Sequence, residues 1–201
     1  MFTRDQIYLL INSPQPLWLP DADLRDAVLR HANLSGANMS SCLLDGADLH
    51  GADASEANLE GFAAVKANLV RVNFQGADLT TANLADANAN NSDFSRAEMG
   101  GIEAAKIKLS SAILEETVLG DANLEKATMR RVQAQGVRLV AAKLTGAEMR
   151  QSDFSGADFG QADLSGANLT DSILNQVDFR ETIFDAATQI DEKWRRVRDI
   201  V

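Results

Sequence analysis

The sequence predicts an all-β solenoid, on three observations. An apolar position recurs every five residues, a second small or apolar position precedes it by two, and glycine clusters two residues after it. With the central apolar position written i, every residue whose number ends in 4 or 9 is apolar from Leu24 to Phe184. These 33 units hold 18 Leu, 6 Phe, 4 Met and 5 Ala. The i−2 positions from Ala22 to Thr182 hold 20 Ala, and the rest are small or apolar, among them Cys42, Phe62, Ser92, Ile102 and Thr117. No charged residue stands at i or i−2, although 24% of the chain is charged. A short period kept in register over this length indicates stacked units that bury a continuous core together.

The chemistry of the unit follows from its parity. Positions i and i−2 point to one side of an extended segment, and i−1 points to the other. Turn chemistry then occupies i+1 and i+2, and ten of the 13 glycines stand at i+2, from Gly36 and Gly46 to Gly156 and Gly166. Glycine there supplies positive φ at no steric cost. Asn and Asp dominate i−1, as at Asn33, Asp48, Asn58, Asp78 and Asp163. Such side chains bond nearby backbone and suit turns. The unit is therefore one wall and one corner of a stacked tube.

This pattern, read in phrases such as Ala-Asp-Phe and Ala-Asp-Leu between Phe154 and Leu169, resembles the pentapeptide-repeat family with its motif A-(D/N)-L-x-x. The resemblance implies a right-handed, quadrilateral β-helix with four units per coil, so that residues 20 apart stack. About eight coils at strand spacing would make a rod roughly 40 Å long. The expected organisation is an N-terminal capping segment over 1–20, the repeat tract over 21–185 and a C-terminal capping helix over 186–201. No loop interrupts the tract.

Stacking can be tested in the columns. Where i shrinks to Ala, i−2 grows in the pairs Phe62 with Ala64, Ile102 with Ala104 and Val132 with Ala134, which conserves interior volume. Ala52 with Ala54 and Ala87 with Ala89 lack that compensation, so looser packing is expected there. Phe74 and Phe94 should stack between neighbouring coils, as should Phe159 and Phe179. Cys42 takes an interior position as a small hydrophobe and, being alone, excludes an internal disulfide.

The ends use different chemistry. Thr3 and Gln6 have capping-box spacing, and Ile7, Leu10 and Ile11 share a helical face before Ser13-Pro14. Thr188 and Asp191 would start a helix with Ile190, Trp194, Val197 and Val201 in one stripe and Lys193, Arg195, Arg196 and Arg198 mostly outside it. A solenoid end exposes unpaired backbone and an open core, so caps are physically required. The C-terminal helix is also the place where two rods would dimerise, giving a monomer or a homodimer.

Composition points away from several function classes. No apolar run approaches the ~20 residues of a membrane span and no leader pattern opens the chain, so a cytoplasmic protein is expected. His31 and His50 fall at one corner of adjacent coils near Arg30, but no third ligand completes a metal set. No phosphate-binding glycine loop occurs, and Ser and Thr lack a base at recognisable spacing. No catalytic, cofactor-binding or metal residues are assigned, and the protein is expected not to be an enzyme.

Binding through the surface remains. A net charge of −10 and the lack of Tyr and Trp on the repeat walls disfavour direct nucleic-acid binding. The repeat tract is acidic toward both ends and near neutral in the middle, where Arg130, Arg131 and Arg150 fall around one corner with Arg71 further along it. The expected function is a non-enzymatic protein-interaction scaffold, with Leu43, Ile113, Val118 and Ile173 as candidate outward contacts. The arginine corner reads as a solvated corner, with a contact patch for an acidic partner as the alternative. The resemblance also implies an alternative, since one branch of the family mimics DNA and binds DNA gyrase, conferring quinolone resistance. Arg138 and Lys143 interrupt the walls that such a mimic needs acidic.

Overall fold

The computed structural model describes residues 16–194, and within them the five-residue period becomes a stack of four-sided coils. Each i−1 residue forms a parallel bridge with the residue 20 positions later, from Trp18↔Asn38 to Asp163↔Ile183. Asn38, Asn58, Asp78, Glu98, Val118, Arg138, Asp158 and Asp178 thus form one column, as the spacing predicts. A wall contributes a single bridged residue before the next corner. The β structure is accordingly a ladder of isolated bridges, with no longer strand among the described residues.

The backbone of a unit is saturated. In the unit at 48–52, Asp48 N–H donates to Ala27 C=O on the preceding coil, while Leu49 and Gly51 N–H donate to Asn68 and Val70 C=O on the next. Ala52 N–H closes the corner on Leu49 C=O at 2.9 Å. The fifth N–H, of His50, is capped by Asp48 Oδ1 at 3.1 Å. That last bond explains the Asn/Asp preference at i−1, and it recurs at Ser35 with Asn33, Thr80 with Asp78 and Ser165 with Asp163. A backbone that must pair every donor away from water selects this side chain.

Corners are more uniform than the glycine pattern suggests. All 33 residues at i+2 from Asp21 to Glu181 have positive φ, between 56° and 70°, yet only ten are glycine. A four-residue turn closed by its i+3 N–H with positive φ at the third residue has the requirement of a type II turn, whatever side chain stands there. The ladder on both sides imposes the conformation even on β-branched Thr81, at φ 57°.

The core is the file of i and i−2 side chains. Phe62 and Ala64 are both buried, and Phe74 stacks on Phe94 with ring centroids 4.9 Å apart. Phe159 and Phe179 stack likewise at 5.5 Å. Polar residues at i−2 follow one rule: Ser92, Thr117, Ser152, Ser172 and Thr182 each donate a hydroxyl to the carbonyl 23 residues earlier. Cys42 does the same, with Sγ 2.8 Å from Leu19 C=O, so it behaves as a donor like the hydroxyls as well as a space filler.

The walls run beyond the expected bounds of 21–185. At the N-terminal side Trp18 is bridged and Leu17 is buried, so residues 17–19 are a wall instead of cap. At the other end Asn168 pairs with Gln189, 21 positions on, which makes residues 188–190 a further wall after a six-residue step. Thr188 and Ile190 are buried as its i−2 and i residues and do not open a helix. Asp185 holds the widened corner, its Oδ1 accepting the Ala187, Thr188 and Gly166 N–H groups. Thirty-four walls at five-residue steps from Trp18 to Ile183, with the one at Gln189, give between eight and nine coils. A single 3-10 turn, Glu192–Trp194, follows in place of the expected start of a capping helix, and Trp194 packs half-buried against the core. The expected N-terminal helix and the stripe beyond Trp194 lie outside the described residues.

Candidate interaction surface

With the interior filled and the backbone paired, the i−1 and corner side chains form the surface. Their carboxylates are held by local donors. Hydrogen bonding from Ser165, joined by Thr145, outweighs burial and keeps the Asp163 carboxyl below its ordinary value. Burial pushes Asp153 up, but Ser155 and Gln135 together bring it below the ordinary value too. Glu125 is lowered to about 2 by Lys126 and Lys143, which flank it at 2.8 and 3.1 Å. Arg25 and Arg180 lower Asp23 and Asp178 in the same way.

The arginine corner is assembled as the spacing predicts. Arg130, Arg131 and Arg150 join Ser110, Ser111 and Gln151 around a surface recess of about 300 Å³. Ser111 N–H donates to Arg130 C=O and Arg131 N–H to Arg150 C=O, which fixes the backbone of the three coils under the recess. Arg130 reaches Glu148 at 3.2 Å, Arg150 reaches Asp171 at 3.6 Å, and Arg131 donates to the Gln151 amide at 3.2 Å. His31 and His50 meet further along the same corner with ring centroids 5.6 Å apart, edge to face, while Arg30 pairs with Asp48 at 3.2 Å. No cluster of three or more metal-ligating side chains occurs among the described residues.

A family model for pentapeptide repeats matches the chain in eight copies over residues 22–61, 67–102, 106–139, 135–171 and 162–188. The chain belongs to the pentapeptide-repeat family. Among solved structures it is similar to HetL, a pentapeptide repeat protein involved in heterocyst differentiation regulation from the cyanobacterium Nostoc sp. strain PCC 7120. That match has 29% identity and a TM-score of 0.50, and covers 88% of this chain and 82% of HetL. A trypsin-treated variant of QnrB1, a plasmid-mediated fluoroquinolone resistance protein, matches at 21% identity and TM-score 0.47, over 92% of this chain and 96% of that one. A third match is Rfr23 from the cyanobacterium Cyanothece 51142, at 24% identity and TM-score 0.23 over 64% of each chain. No curated protein matches the chain.

The apolar side chains on this pentapeptide-repeat rod are scattered over its sides. Leu43 and Ile173 are exposed as expected, whereas Ile113 and Val118 are only half-exposed. Trp18, Val28 and Ile183 are more exposed than any of these, at 75, 62 and 54%. The five-residue register extended by one unit would have found Trp18, which the expectation of a cap concealed. A tryptophan therefore does stand outward on a wall. Trp18, Leu43, Val28 and Ile173 lie on four different walls, so they form no continuous apolar face. No helix among the described residues is long and apolar enough to cross a membrane.

Proposed function

We propose that this pentapeptide-repeat protein is a non-enzymatic interaction scaffold, a right-handed four-sided rod that displays outward side chains at fixed spacing to a partner protein. The paired backbone of the units with Asn or Asp at i−1 carries this reading. With all five N–H groups of a unit such as 48–52 paired and the i−1 side chain bound to its own turn, the surface is preorganised. A rigid display loses little conformational freedom on binding. The family likeness supports the hand of the coil.

The test is recovery of a partner. Tagged protein is cross-linked in the native cell, with Leu43→Asp and Ile173→Asp as surface variants and an unrelated rod as control. Recovery of one protein above that control is the expected result, and recovery of none overturns the scaffold.

The DNA-mimic alternative is disfavoured by one column. From Asp78 and Glu98 the bridged i−1 residues pass to Val118 and Arg138 before returning to Asp158. A mimic presents negative charge without a break, and screening over 8–10 Å turns an interrupted column into local patches. No inhibition of gyrase supercoiling at micromolar protein is expected. Potent, salt-sensitive inhibition reverses the order of the two readings.

A further inference from the structure

The charges of the rod are segregated by edge. The corner that begins at Arg30 and His31 runs through a continuous thread of hydrogen bonds: His31 N–H to His50 C=O, Gly51 to Val70, Arg71 to Asn90, Asn91 to Ser110, Ser111 to Arg130, Arg131 to Arg150 and Gln151 to Thr170. Between residues 30 and 171 the charged residues on it are Arg30, Arg71, Arg130, Arg131, Arg150 and Asp171, with His31 and His50 besides. From Arg30 to Arg150 this edge carries no Asp or Glu, in a protein of net charge −10. Asp171, Asp191 and Glu192 close it at the C-terminal end, where the Asp171 N–H donates to Asp191 Oδ1.

From these observations we propose that this edge docks an acidic segment of a partner protein, anchored in the recess of Arg130, Arg131 and Arg150. The proposal rests on the scaffold reading and names the partner's chemistry. Guanidinium groups bind carboxylates bidentately and are weakly hydrated, so they suit such an anchor. Arg71 and Arg131 have no carboxylate partner among the described residues, and the pairs of Arg130 and Arg150 are exposed. Exposed pairs contribute little, so a partner's carboxylates exchange into them readily.

The width of the edge selects a single polypeptide segment. Asp48 and Glu148 line the wall on one side of the corner, and Asp53, Asp93 and Asp153 line the wall on the other. A nucleic-acid duplex, wider than the edge, overlaps these carboxylates. A helix about 10–12 Å across stays on the arginines. At strand spacing the six coils from Arg30 to Arg150 span about 29 Å, the length of a helix of about 20 residues.

Fluorescence anisotropy with a labelled oligo-glutamate peptide of about 20 residues tests the proposal on the full chain. The wild type is compared with Arg131→Gln/Arg150→Gln and with Lys66→Gln/Lys106→Gln, an equal charge change on another edge. Expected are micromolar binding that weakens with salt, a loss of about tenfold or more in the arginine variant, and less than about twofold in the lysine variant. Equal losses in the two variants, or no binding by the wild type at low salt, overturn the proposal. Tighter binding of a DNA duplex that the arginine substitutions also abolish overturns it in favour of a nucleic acid. Thermal melts show whether both variants fold, and Arg150→Gln alone repeats the comparison if the double variant melts early. A cellular partner that the rod retains after the arginine substitutions leaves the scaffold standing and removes only this edge.

Discussion

Asp45 Oδ1 accepts the backbone N–H of Val65 at 2.8 Å, from the coil before it. The bond is needed because the wall before Val65 carries Ala63 at i−1, where an Asn or Asp would have capped that N–H. Asn90 serves Ser110 in the same way, at 2.8 Å, where Lys108 holds i−1. Asp45→Ala is expected to leave the Val65 donor unpartnered and to cost about 1 kcal/mol. Ala63→Asn in that background should restore most of the loss by supplying the local acceptor. Denaturant melts of the four-member cycle measure the coupling, and additive effects would disprove the substitution of one acceptor for the other.

Phe62 and Ala64 share one wall, and both are buried. Phe62→Ala should open a cavity there and destabilise the rod by roughly 3–5 kcal/mol. Adding Ala64→Leu should recover part of this. A loss below about 1 kcal/mol in urea or guanidinium melts contradicts the packing described, since a well-packed interior feels such a deletion.

Asp153 and Asp163 have lowered carboxyl pKa values in the fold. A group of this kind stabilises the native state above its unfolded pKa, near 3.9, and that contribution disappears as the pH falls through the lower folded value. Asn in place of either keeps an Oδ1 for the turn N–H, as Asn33 and Asn38 do. The Asp153→Asn/Asp163→Asn protein should therefore lose less stability than the wild type between pH 5 and pH 2. Parallel melting curves over that interval would show that the two carboxylates are not responsible.

Thr81 sits at φ 57° between Gly61 and Gly101 of the adjoining coils. Glycine removes the strain of a β-branched residue in the left-handed region. Thr81→Gly should raise stability by about 0.5–1 kcal/mol, less than the strain itself because glycine also frees the unfolded chain. A lower melting temperature would mean that the ladder holds this corner without strain.

Truncation after Ala187 removes Thr188, Ile190 and Trp194 together with the bridge from Asn168 to Gln189. Leu169 N–H and Ala167 C=O then lose their partners on Gln189, and the end of the core opens. The shortened rod should be less stable and should associate end to end in sedimentation velocity. A dimeric full chain with a monomeric truncation would instead place a dimer contact in the removed segment.

Much of this was legible because each unit solves its problem locally. The i and i−2 positions, the pairs Phe74/Phe94 and Phe159/Phe179, and the column through Val118 and Arg138 all follow from counting in fives and twenties. The arginine corner was legible for the same reason. The C-terminal end was not, because one added residue after Phe184 breaks the count, and Ile190 then fits a helical stripe as readily as a wall.

By itself the sequence determined the repeat and its inward and outward positions, since parity puts i and i−2 on one side of each wall. With the family resemblance it also determined which residues share a column. Only the tertiary structure decided how the orphan donors are paired. Val65 draws on Asp45, Cys42 donates to Leu19 C=O, and Asp185 gathers three N–H groups at the widened corner. It also imposed positive φ on 23 residues that are not glycine. The reason is physical: side-chain parity is a property of one strand, whereas a hydrogen bond between coils depends on which donors the neighbouring coil leaves free.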